Sequence, residues 1–393
     1  MNDKKYSEDS ASVKLFGVVA ERLLAWYGVN HRDLPWREEP TPYHVWLSEI
    51  MLQQTRVEAV KEYYRRFLAE LPEIKDLASA SEDEILKLWE GLGYYSRVRN
   101  MQKAACVVMQ EYNGELPETK AELLSLPGIG DYTAGAISSI AYGQPEAAVD
   151  GNVLRVGTRI LVDSRDIGQA KVKKDYEVLI HEAYLQNPGI PAGIVNQAYM
   201  DLGATICAPN GAPHCEVCPL LDLCMAATCE EQEKYPVKAP KKKRRIEDKT
   251  VLIIRSGDRI ALRKRPSSGL LAGLYEFPNV EGRLTESEAL KEVESLGFVP
   301  LHIEEIPDAK HIFSHVEWHM KGYLIKVAEP EYEMPEAVLD EVVTYGNAVN
   351  GGEEVAYVDT NGETAEAVLF PERREVIEKK AVPSAFAKYK KYI

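Results

Sequence analysis

Leu126-Pro127-Gly128-Ile129-Gly130-Asp131-Tyr132-Thr133-Ala134 is the stretch of sequence that decides the fold of the first half of the chain. It separates two predicted helices, at residues 118–126 and 132–142. Gly128 and Gly130 let the backbone turn tightly, so the stretch predicts a helix–hairpin–helix. The second helix then presents unpaired N–H groups on which a DNA phosphate can lie without sequence preference. In isolation, the same Pro-Gly-x-Gly pattern is equally compatible with a plain turn between two helices.

Helical periodicity continues on both sides of this hairpin, from about residue 10 to residue 227. Apolar residues recur at helical spacing in residues 13–27, 85–89 and 98–109, and Gly and Pro interrupt the pattern between helices. We therefore predict an all-α module that covers residues 1–235.

The second half of the chain has a different character. Residues 236–249 form a linker rich in Pro, Lys and Arg, which is either a solvated tether or a strap that contacts phosphate. Beyond it, short strands are predicted at 250–255 and 260–265, a helix at 286–296, and further strands from His302 onward. The prediction is a multidomain protein in which residues 250–393 form an α+β C-terminal domain.

Length and composition limit the possible functions. A chain of 393 residues is long enough for two or three domains. The formal charge of −15 excludes a protein that coats nucleic acid through bulk positive charge, although a local basic face remains possible. No apolar run approaches the ~18 residues that a membrane span needs, and the first ten residues lack the apolar core of a secretory signal. We expect a cytoplasmic protein, associated with the nucleoid in a prokaryotic cell, without a membrane partner.

Four cysteines lie within one short loop, with the spacing Cys207-x7-Cys215-x2-Cys218-x5-Cys224. Four thiolates in one loop can converge on one metal centre. A zinc site more often has two Cys-x2-Cys pairs, whereas one pair with an outlying cysteine on each side favours an iron–sulfur cluster. Zinc and unliganded thiols remain the alternatives, and Cys229 is expected to be a bystander.

Two acids are candidates for catalysis, Glu49 in a helical segment with Trp46, Ile50 and Met51, and Asp150 before a predicted helix. Two carboxylates in unequal surroundings can divide the roles of acid and anion. The apolar neighbours of Glu49 are expected to raise its pKa and keep a proton available, whereas the helix N–H groups are expected to keep Asp150 ionised. Alternatively, Asp150 is only a helix N-cap and Glu49 only a surface acid.

The order of these motifs resembles one family. Leu52-Gln53-Gln54-Thr55, Gly91-Leu92-Gly93-Tyr94-Tyr95-Ser96-Arg97, the hairpin, Val149-Asp150-Gly151-Asn152-Val153 and the four-cysteine loop together look like the adenine DNA glycosylases of the MutY family. The resemblance spans nearly the whole chain. It implies a base-excision-repair enzyme that removes adenine mispaired with 8-oxoguanine in duplex DNA, with a [4Fe–4S] cluster and a C-terminal domain related to the Nudix hydrolases. We expect a monomer.

The resemblance also implies roles for individual residues. Glu49 would protonate the departing adenine and Asp150 would stabilise the oxocarbenium-like sugar, with Tyr132 and Asn152 in support. The adenine would first be flipped out of the duplex. The other residues form an adenine pocket of Arg32, Leu34, Trp36 and Gln197, a DNA-binding or intercalating group of Gln53, Gln54, Tyr94, Gly128 and Gly130, an 8-oxoguanine-reading turn of Phe313, Ser314 and His315, and cluster ligands Cys207, Cys215, Cys218 and Cys224.

Tyr132 predicts a monofunctional glycosylase. Related lyases have a lysine at this position that attacks the sugar as a Schiff-base nucleophile, and a tyrosine cannot form an imine.

Two features of the sequence depart from the family pattern. The first cysteine spacing is seven residues instead of six and carries no fixed positive charge, which disfavours a phosphate contact by this loop. Residues 290–297 lack the carboxylate cluster of a Nudix helix, so binding without pyrophosphate hydrolysis is predicted.

Three alternative functions remain at this point. An endonuclease-III-like pyrimidine glycosylase is disfavoured by Tyr132 and by the second domain. A nucleotide pyrophosphatase is disfavoured by the degenerate Nudix helix. A catalytically silent lesion-binding protein is disfavoured because both Glu49 and Asp150 are present.

Overall fold

The computed structural model describes residues 9–209, 211–240, 243–329 and 368–393. The chain divides into two compact units, one formed by Met1–Ala80 with Ser96–Lys241 and the other by Ser81–Tyr95 with Lys242–Ile393. No helix among the described residues is long and apolar enough to cross a membrane.

The first unit is built from α-helices joined by short loops, as predicted for the all-α module. In chain order the helices before the first strand are α1 (Ser10–Asn30), α2 (Pro35–Glu38), α3 (Pro42–Leu52), α4 (Val57–Glu70), α5 (Ile74–Ser79), α6 (Glu82–Leu88), α7 (Ser96–Glu111), α8 (Lys120–Leu123), α9 (Asp131–Ile140), α10 (Gly151–Leu161), α11 (Ala170–Gln186), α12 (Ala192–Thr205) and α13 (Met225–Thr228). Of these, α6 belongs to the second unit.

The two hairpin helices differ in length from the prediction. α8 is only one turn long, because Thr119 caps its start by accepting a hydrogen bond from the Glu122 N–H (3.3 Å) and the chain leaves the helix before Pro127. α9 begins at Asp131 instead of Tyr132 and ends two residues before Tyr142. The turn between the two helices lies where the sequence predicts it.

Helix α12 lies at the centre of the first unit, where it packs on α1, α9 and α10. Its residues Tyr199 and Leu202 are fully buried. Gly203 permits the approach to α10, because a Cβ at this position would lie only 2.6 Å from the Cβ of Asn152. The N-terminal turn of α10 is thereby held against α12.

The second unit contains two sheets, built from β1 (Arg245–Ser256), β2 (Arg259–Ile260), β3 (Leu262–Lys264), β4 (Tyr275–Glu276), β5 (Asn279–Glu281), β6 (Pro300–Ile312), β7 (Val316–Val327) and β8 (Val368–Leu369). The larger sheet has the order β2-β1-β7-β6, with β5 also paired to β1, and the smaller has the order β4-β3-β8. β1 and β7 run parallel, and the middle of β1 is buried on both faces. With α14 (Glu286–Ser295) and α15 (Arg373–Lys379), this unit is α+β, as predicted.

Two strand predictions need correction. β1 begins at Arg245 instead of residue 250, because its pairing with β7 starts where Arg245 lies opposite Val316, and backbone pairing does not depend on side-chain polarity. The strand predicted at 260–265 is divided between the two sheets. Ile260 pairs with β1, whereas Leu262 pairs with β8.

Helix α6 packs within the second unit although its neighbours in sequence belong to the first. Asp83 Oδ2 accepts a hydrogen bond from the Tyr275 hydroxyl (2.7 Å), and its Oδ1 lies 3.2 Å from Lys264 Nζ. Glu90, just beyond the helix, forms an ion pair with Lys390. C-terminal residues therefore hold both ends of α6.

Candidate active site

The first unit contains a cavity of about 750 Å³ whose lining includes most of the predicted site residues. The predicted residues that line it are Arg32, Leu34, Trp36, Glu49, Gln53, Gln54, Gly130, Tyr132, Asp150, Asn152 and Gln197. Gly128, Tyr94 and residues 313–315 do not line it. Several lining residues were not predicted from the sequence, among them Arg37, Lys173 and Met200.

Glu49 lies on α3 and is only 5% exposed. Its neighbours Trp46, Ile50 and Met51 are buried on the same helix. Burial raises the pKa of Glu49 to about 7, while a hydrogen bond from Tyr132 offsets part of that rise. The predicted direction of the shift is confirmed. A carboxyl with this pKa is partly protonated at neutral pH and can donate a proton there.

Tyr132 lies in the first turn of α9, directly after the hairpin. Its hydroxyl donates a hydrogen bond to Glu49 Oε2 over 2.5 Å, and Met200 Sδ lies 3.8 Å from the same hydroxyl oxygen. Burial raises the pKa of the Tyr132 phenol well above its usual value, so the hydroxyl keeps its proton. Tyr132 is therefore a hydrogen-bond donor that orients the Glu49 carboxyl.

Asp150 is the N-cap of α10. Its Oδ1 accepts hydrogen bonds from the backbone N–H groups of Asn152 (2.8 Å) and Val153 (2.9 Å), and its Oδ2 accepts one from the Asn152 amide (2.6 Å). Burial nevertheless raises the pKa of Asp150 above its ordinary value, because it outweighs these hydrogen bonds and the charge of Arg155. The helix N–H groups lower the pKa of Asp150, which is the predicted direction, and so reduce the rise that burial causes.

Two arginines on α10 connect this end of the cavity with the cysteine loop. Arg155 Nη2 donates to Asn152 Oδ1 (2.8 Å), and its Nε donates to the Cys207 carbonyl (2.7 Å). One turn later, Arg159 Nη1 lies 3.1 Å from Cys207 Sγ. Both arginines are buried. Sequence reasoning assigned neither a role, although two arginines four residues apart lie on one face of a helix.

A buried carboxylate, Asp201, binds the cavity-lining segment just before α2. Asp201 on α12 accepts hydrogen bonds from Arg32 Nε (2.8 Å) and from both terminal nitrogens of Arg37 (2.8 and 2.9 Å). Although burial disfavours the ionised form, these two arginines together lower the pKa of Asp201. The Asp201 carboxylate thus fixes the predicted pocket residue Arg32. The sequence signal was the single charged residue of the segment that forms α12, between Met200 and Leu202.

Gly128 and Gly130 have different structural requirements. Gly128 has φ +78°, and a Cβ there would lie 2.6 Å from the Cβ of Asn100 on α7. Gly130 is the N-cap of α9 with φ −103°, and a Cβ there would meet no heavy atom within 4 Å. The turn therefore needs glycine at position 128. Position 130 has no such steric requirement, and Gly130 offers no side chain to cap the first N–H groups of α9.

The end of α3 carries the two predicted DNA-contacting glutamines. The carbonyl of Gln53 accepts a hydrogen bond from Arg97 Nη1 (2.7 Å), which also bonds to the Ile50 carbonyl (2.6 Å). Gln54 is exposed and has φ +59°. Sequence reasoning gave Arg97 no role, although cations commonly satisfy the last carbonyls of a helix.

Tyr94 belongs to the second unit, in the turn after α6. It is 47% exposed and has φ +48°, and the preceding Gly93 has φ +72°. The indole of Trp89 donates a hydrogen bond to the Gly93 carbonyl (3.2 Å). The turn therefore holds a large aromatic side chain at the surface in a backbone conformation that is unfavourable for tyrosine.

The four predicted cluster ligands, Cys207, Cys215, Cys218 and Cys224, line one small separate cavity. Burial raises the pKa of the Cys218 thiol to about 12, so a thiolate there requires a cation beside it. Within residues 9–209, 211–240, 243–329 and 368–393, no three His, Cys, Asp or Glu side chains are placed to hold one metal ion. Four thiols around one cavity are nevertheless the donor set that an iron–sulfur cluster uses.

Residues 313–315 form the hairpin turn between β6 and β7, as the sequence predicts. The Phe313 ring stacks edge-on against Trp318 at a centroid distance of 4.9 Å and against His311 at 4.6 Å. Ser314 and His315 are exposed, with Ser314 Oγ 3.3 Å from His315 Nδ1. The aromatic contacts anchor the turn and leave two polar side chains at its tip.

The helical unit whose cavity is lined by Glu49 and Asp150 is similar in sequence to a class of DNA repair proteins. Residues 47–182 match the HhH-GPD superfamily of base excision DNA repair proteins, and residues 250–348 match the NUDIX domain. The chain is 37% identical over 379 residues to the adenine DNA glycosylase of Homo sapiens, and the alignment covers 80% of this chain and 69% of that protein. The chain belongs to the adenine DNA glycosylase family, and the predicted family and fold class are confirmed.

Two further proteins are similar to this chain. The adenine DNA glycosylase of Buchnera aphidicola subsp. Schizaphis graminum is 35% identical over 313 residues, covering 79% of this chain and 88% of that protein. The structure of a thermostable thymine-DNA glycosylase is similar at 29% identity and a TM-score of 0.49, covering 56% of this chain and all of that one.

Proposed function

We propose that this chain removes adenine mispaired with 8-oxoguanine, or with guanine, from duplex DNA by hydrolysing the N-glycosidic bond. The observation that carries the proposal is a pair of acids, buried Glu49 and half-buried Asp150, that line one cavity. Glu49 has a pKa of about 7 and a hydrogen bond from Tyr132, and Asp150 caps α10. The relatives named adenine DNA glycosylase support the choice of base.

The two acids have different tasks in this mechanism. Protonated Glu49 transfers its proton to a ring nitrogen of adenine as the bond between sugar C1′ and base N9 breaks, so adenine leaves as a neutral molecule. The Asp150 carboxylate stabilises the positive charge that develops on the sugar. Water then adds to C1′ and gives a proton back to Glu49. Tyr132 and Asn152 orient the two carboxyl groups through the hydrogen bonds described above.

The flipped adenine would occupy the 750 Å³ cavity. Leu34 and Trp36 offer buried apolar surface to its ring, and Arg32 is fixed by its carboxylate partner on α12. The Gln197 amide is oriented because its Oε1 accepts a hydrogen bond from the Tyr27 hydroxyl (3.1 Å), which favours a role in reading the edge of the base.

The proposed DNA-binding residues lie outside this pocket or at its edge. Exposure and a left-handed backbone support insertion of Gln54 and Tyr94 into the base stack. The open N-terminus of α9 after Gly128 and Gly130 supports contact with a DNA phosphate. Gln53 would help to hold the DNA strand next to Gln54.

We propose that the enzyme is monofunctional, because Tyr132 replaces the lysine that a lyase would use. Lys173 is an amine that also lines the cavity, so the test must address it. Borohydride treatment during the reaction should trap no more protein on DNA in wild type than in Lys173→Gln. Trapping that depended on Lys173 would contradict the monofunctional assignment.

We propose that Cys207, Cys215, Cys218 and Cys224 hold a [4Fe–4S] cluster, supported by the shared cavity that they line. When bound, the cluster supplies a cross-link of the loop and a one-electron redox centre. The isolated protein should be brown, with iron and sulfide near four per chain. Cys218→Ser should lower cluster content and DNA binding, whereas Cys229→Ser, at an exposed cysteine, should not. Stoichiometric zinc without iron in anaerobically purified protein would favour the zinc alternative.

We propose that the Nudix-like half reads 8-oxoguanine through Phe313, Ser314 and His315. The polar tip of the turn and its aromatic anchor support this role. In this proposal residues 1–235 form the glycosylase domain and residues 250–393 check the opposite base, while residues 236–249 connect the domains and contribute residues 245–249 to β1. The protein would act as a monomer on duplex DNA.

One experiment separates this function from its alternatives. The protein is incubated with duplexes that each carry one defined mispair, and abasic sites are quantified with and without alkali. Adenine release opposite 8-oxoguanine and guanine, with strand breaks only after alkali, is the expected result. Release of a damaged pyrimidine instead would favour the endonuclease-III-like alternative, and tight binding without release would favour a catalytically silent protein.

A further inference from the structure

The basic linker ends beside the turn formed by residues 313–315. β1 runs parallel to β7, with Arg245 opposite Val316, and the Arg245 N–H donates to the His315 carbonyl (3.1 Å). Lys243 and Arg244, the two residues before β1, therefore lie alongside the turn that precedes β7. This placement follows from strand register and does not depend on side-chain positions.

Arg244 is bonded directly to this turn. Its Nε donates a hydrogen bond to the Phe313 carbonyl over 3.1 Å, although the side chain itself is exposed. In the part of the chain that the structure describes, the two terminal nitrogens of Arg244 make no hydrogen bond. A guanidinium that uses Nε on one side retains the pair of donors that suits a phosphate group.

The charge of Lys243 and Arg244 is not compensated by neighbouring acids. Both are exposed, and neither forms an ion pair within the described residues. The next residue, Arg245, differs because its guanidinium pairs with Glu247 over 2.5 Å. In a protein with a formal charge of −15, two uncompensated cations beside the turn of residues 313–315 form a local site for a polyanion.

We infer that Lys243 and Arg244 bind the phosphate backbone of the DNA strand whose base contacts residues 313–315, and that Arg244 couples this phosphate to the turn through the Phe313 carbonyl. The inference rests on the proposed function in that duplex DNA is the ligand. It assigns the end of the linker to DNA binding instead of to a solvated tether. Phosphate binding would then help to fix the geometry of the turn that reads the base.

The first test measures the affinity of the full-length protein for an undamaged duplex at several salt concentrations. Each phosphate contact contributes about 0.9 to the slope of log affinity against log salt. Lys243→Gln and Arg244→Gln should each reduce the slope by about this amount, whereas Lys291→Gln, at an exposed lysine on α14, should leave it unchanged. Wild-type slopes in the first two variants would overturn the inference.

The source of the phosphate requires a separate arm. Inorganic phosphate added at constant ionic strength should not displace the duplex, because a DNA strand makes several phosphate contacts with the protein at once. Displacement that disappears in Arg244→Gln would instead identify a site for a single phosphate group and overturn the assignment to the DNA backbone.

The second test addresses the coupling to the turn. Arg244→Lys keeps the charge, but one ammonium group cannot hold the carbonyl and a phosphate in the same geometry. Its salt slope should match wild type, while the preference for adenine opposite 8-oxoguanine over adenine opposite guanine should fall roughly 3- to 10-fold, the effect of one hydrogen bond. Full preference in this variant would contradict the coupling. The binding test needs no excision, so absence of adenine release would contradict the proposed function alone.

Discussion

Glu49 is a buried acid whose pKa is set by its burial and by three neighbouring residues. Asp150 raises its pKa, whereas the Tyr132 hydroxyl and the charge of Arg37 lower it, and burial exceeds each of these effects. The resulting pKa of about 7 lies within the range where a general acid works best at neutral pH. This balance makes the pH dependence of the reaction a direct report on the site.

The rate of adenine release should fall as pH rises through about 7, because Glu49 then loses the proton that it must donate. Glu49→Gln should lower single-turnover release by ~100-fold or more and should abolish this pH step. Duplex affinity should hardly change. Near-normal release by the variant would remove Glu49 from the mechanism.

Tyr132→Phe should move the midpoint of the pH–rate profile to higher pH. The tyrosine hydroxyl stabilises ionised Glu49, so its removal raises the pKa of that carboxyl further. Tyr142→Phe is the matched control, because the Tyr142 hydroxyl bonds only to the distant Leu116 carbonyl among the described residues. Equal midpoints in both variants would show that the Tyr132 hydrogen bond does not set the pKa of Glu49.

Glu49 should also cost stability at high pH. Its pKa is about 7 in the folded protein against 4.5 for the ordinary carboxyl, so the stability that it contributes below pH 4.5 is lost as pH rises through 7. At pH 8 Glu49→Gln should be more stable than wild type by on the order of 3 kcal/mol, and at pH 4.5 the gain should vanish. Urea unfolding at the two pH values measures this difference, and a gain of equal size at both would exclude ionisation of Glu49 as its cause.

At the scale of elements, the helix–hairpin–helix depends on one glycine more than on the other. Gly128→Ala should destabilise the turn, because its φ is +78° and the added Cβ would lie 2.6 Å from the Asn100 Cβ. Thermal unfolding should shift to lower temperature and duplex affinity should fall. Gly130→Ala should leave the melting temperature nearly unchanged, since nothing lies within 4 Å of its added Cβ. Equal melting temperatures for the two variants would contradict this difference.

Elements with a local sequence signal could be predicted, and those that depend on distant pairing could not. The hairpin glycines, the helical periodicity and the capped helix α14 all have such signals. The start of β1 does not, because residues 245–249 are polar and join the strand only through their pairing with β7. The grouping of acids, pocket residues and glutamines around one cavity follows from the family resemblance. The links through Arg155 and Asp201 required the packing of α10 and α12.

At the scale of the whole molecule, lesion preference should depend on the C-terminal half. Truncation after Pro240, before β1, should leave adenine release opposite guanine while reducing the preference for 8-oxoguanine by roughly 10- to 100-fold, the effect of one or two hydrogen bonds. Ser314→Ala with His315→Ala should reduce the preference more mildly. The preference is measured as the ratio of the single-turnover rates of adenine release opposite 8-oxoguanine and opposite guanine.

The double variant is the cleaner of the two experiments. Truncation also removes Lys264, Tyr275 and Lys390, which hold α6, so it changes more than the reading turn. Full preference in the double variant together with a loss in the truncated protein would move the reading role to the α6 segment and Tyr94.

The placement of α6 has a consequence for the order in which the protein is made. Asp83 leaves the ribosome 181 residues before Lys264, and Glu90 leaves it 300 residues before Lys390. At a synthesis rate of about 5 to 20 residues per second, the partners that hold the two ends of α6 are made roughly ten seconds to a minute after α6 itself. During translation the helical half is therefore made well before the residues that bond to Asp83 and Glu90, and the bond between Glu90 and Lys390 can form only near the end of synthesis.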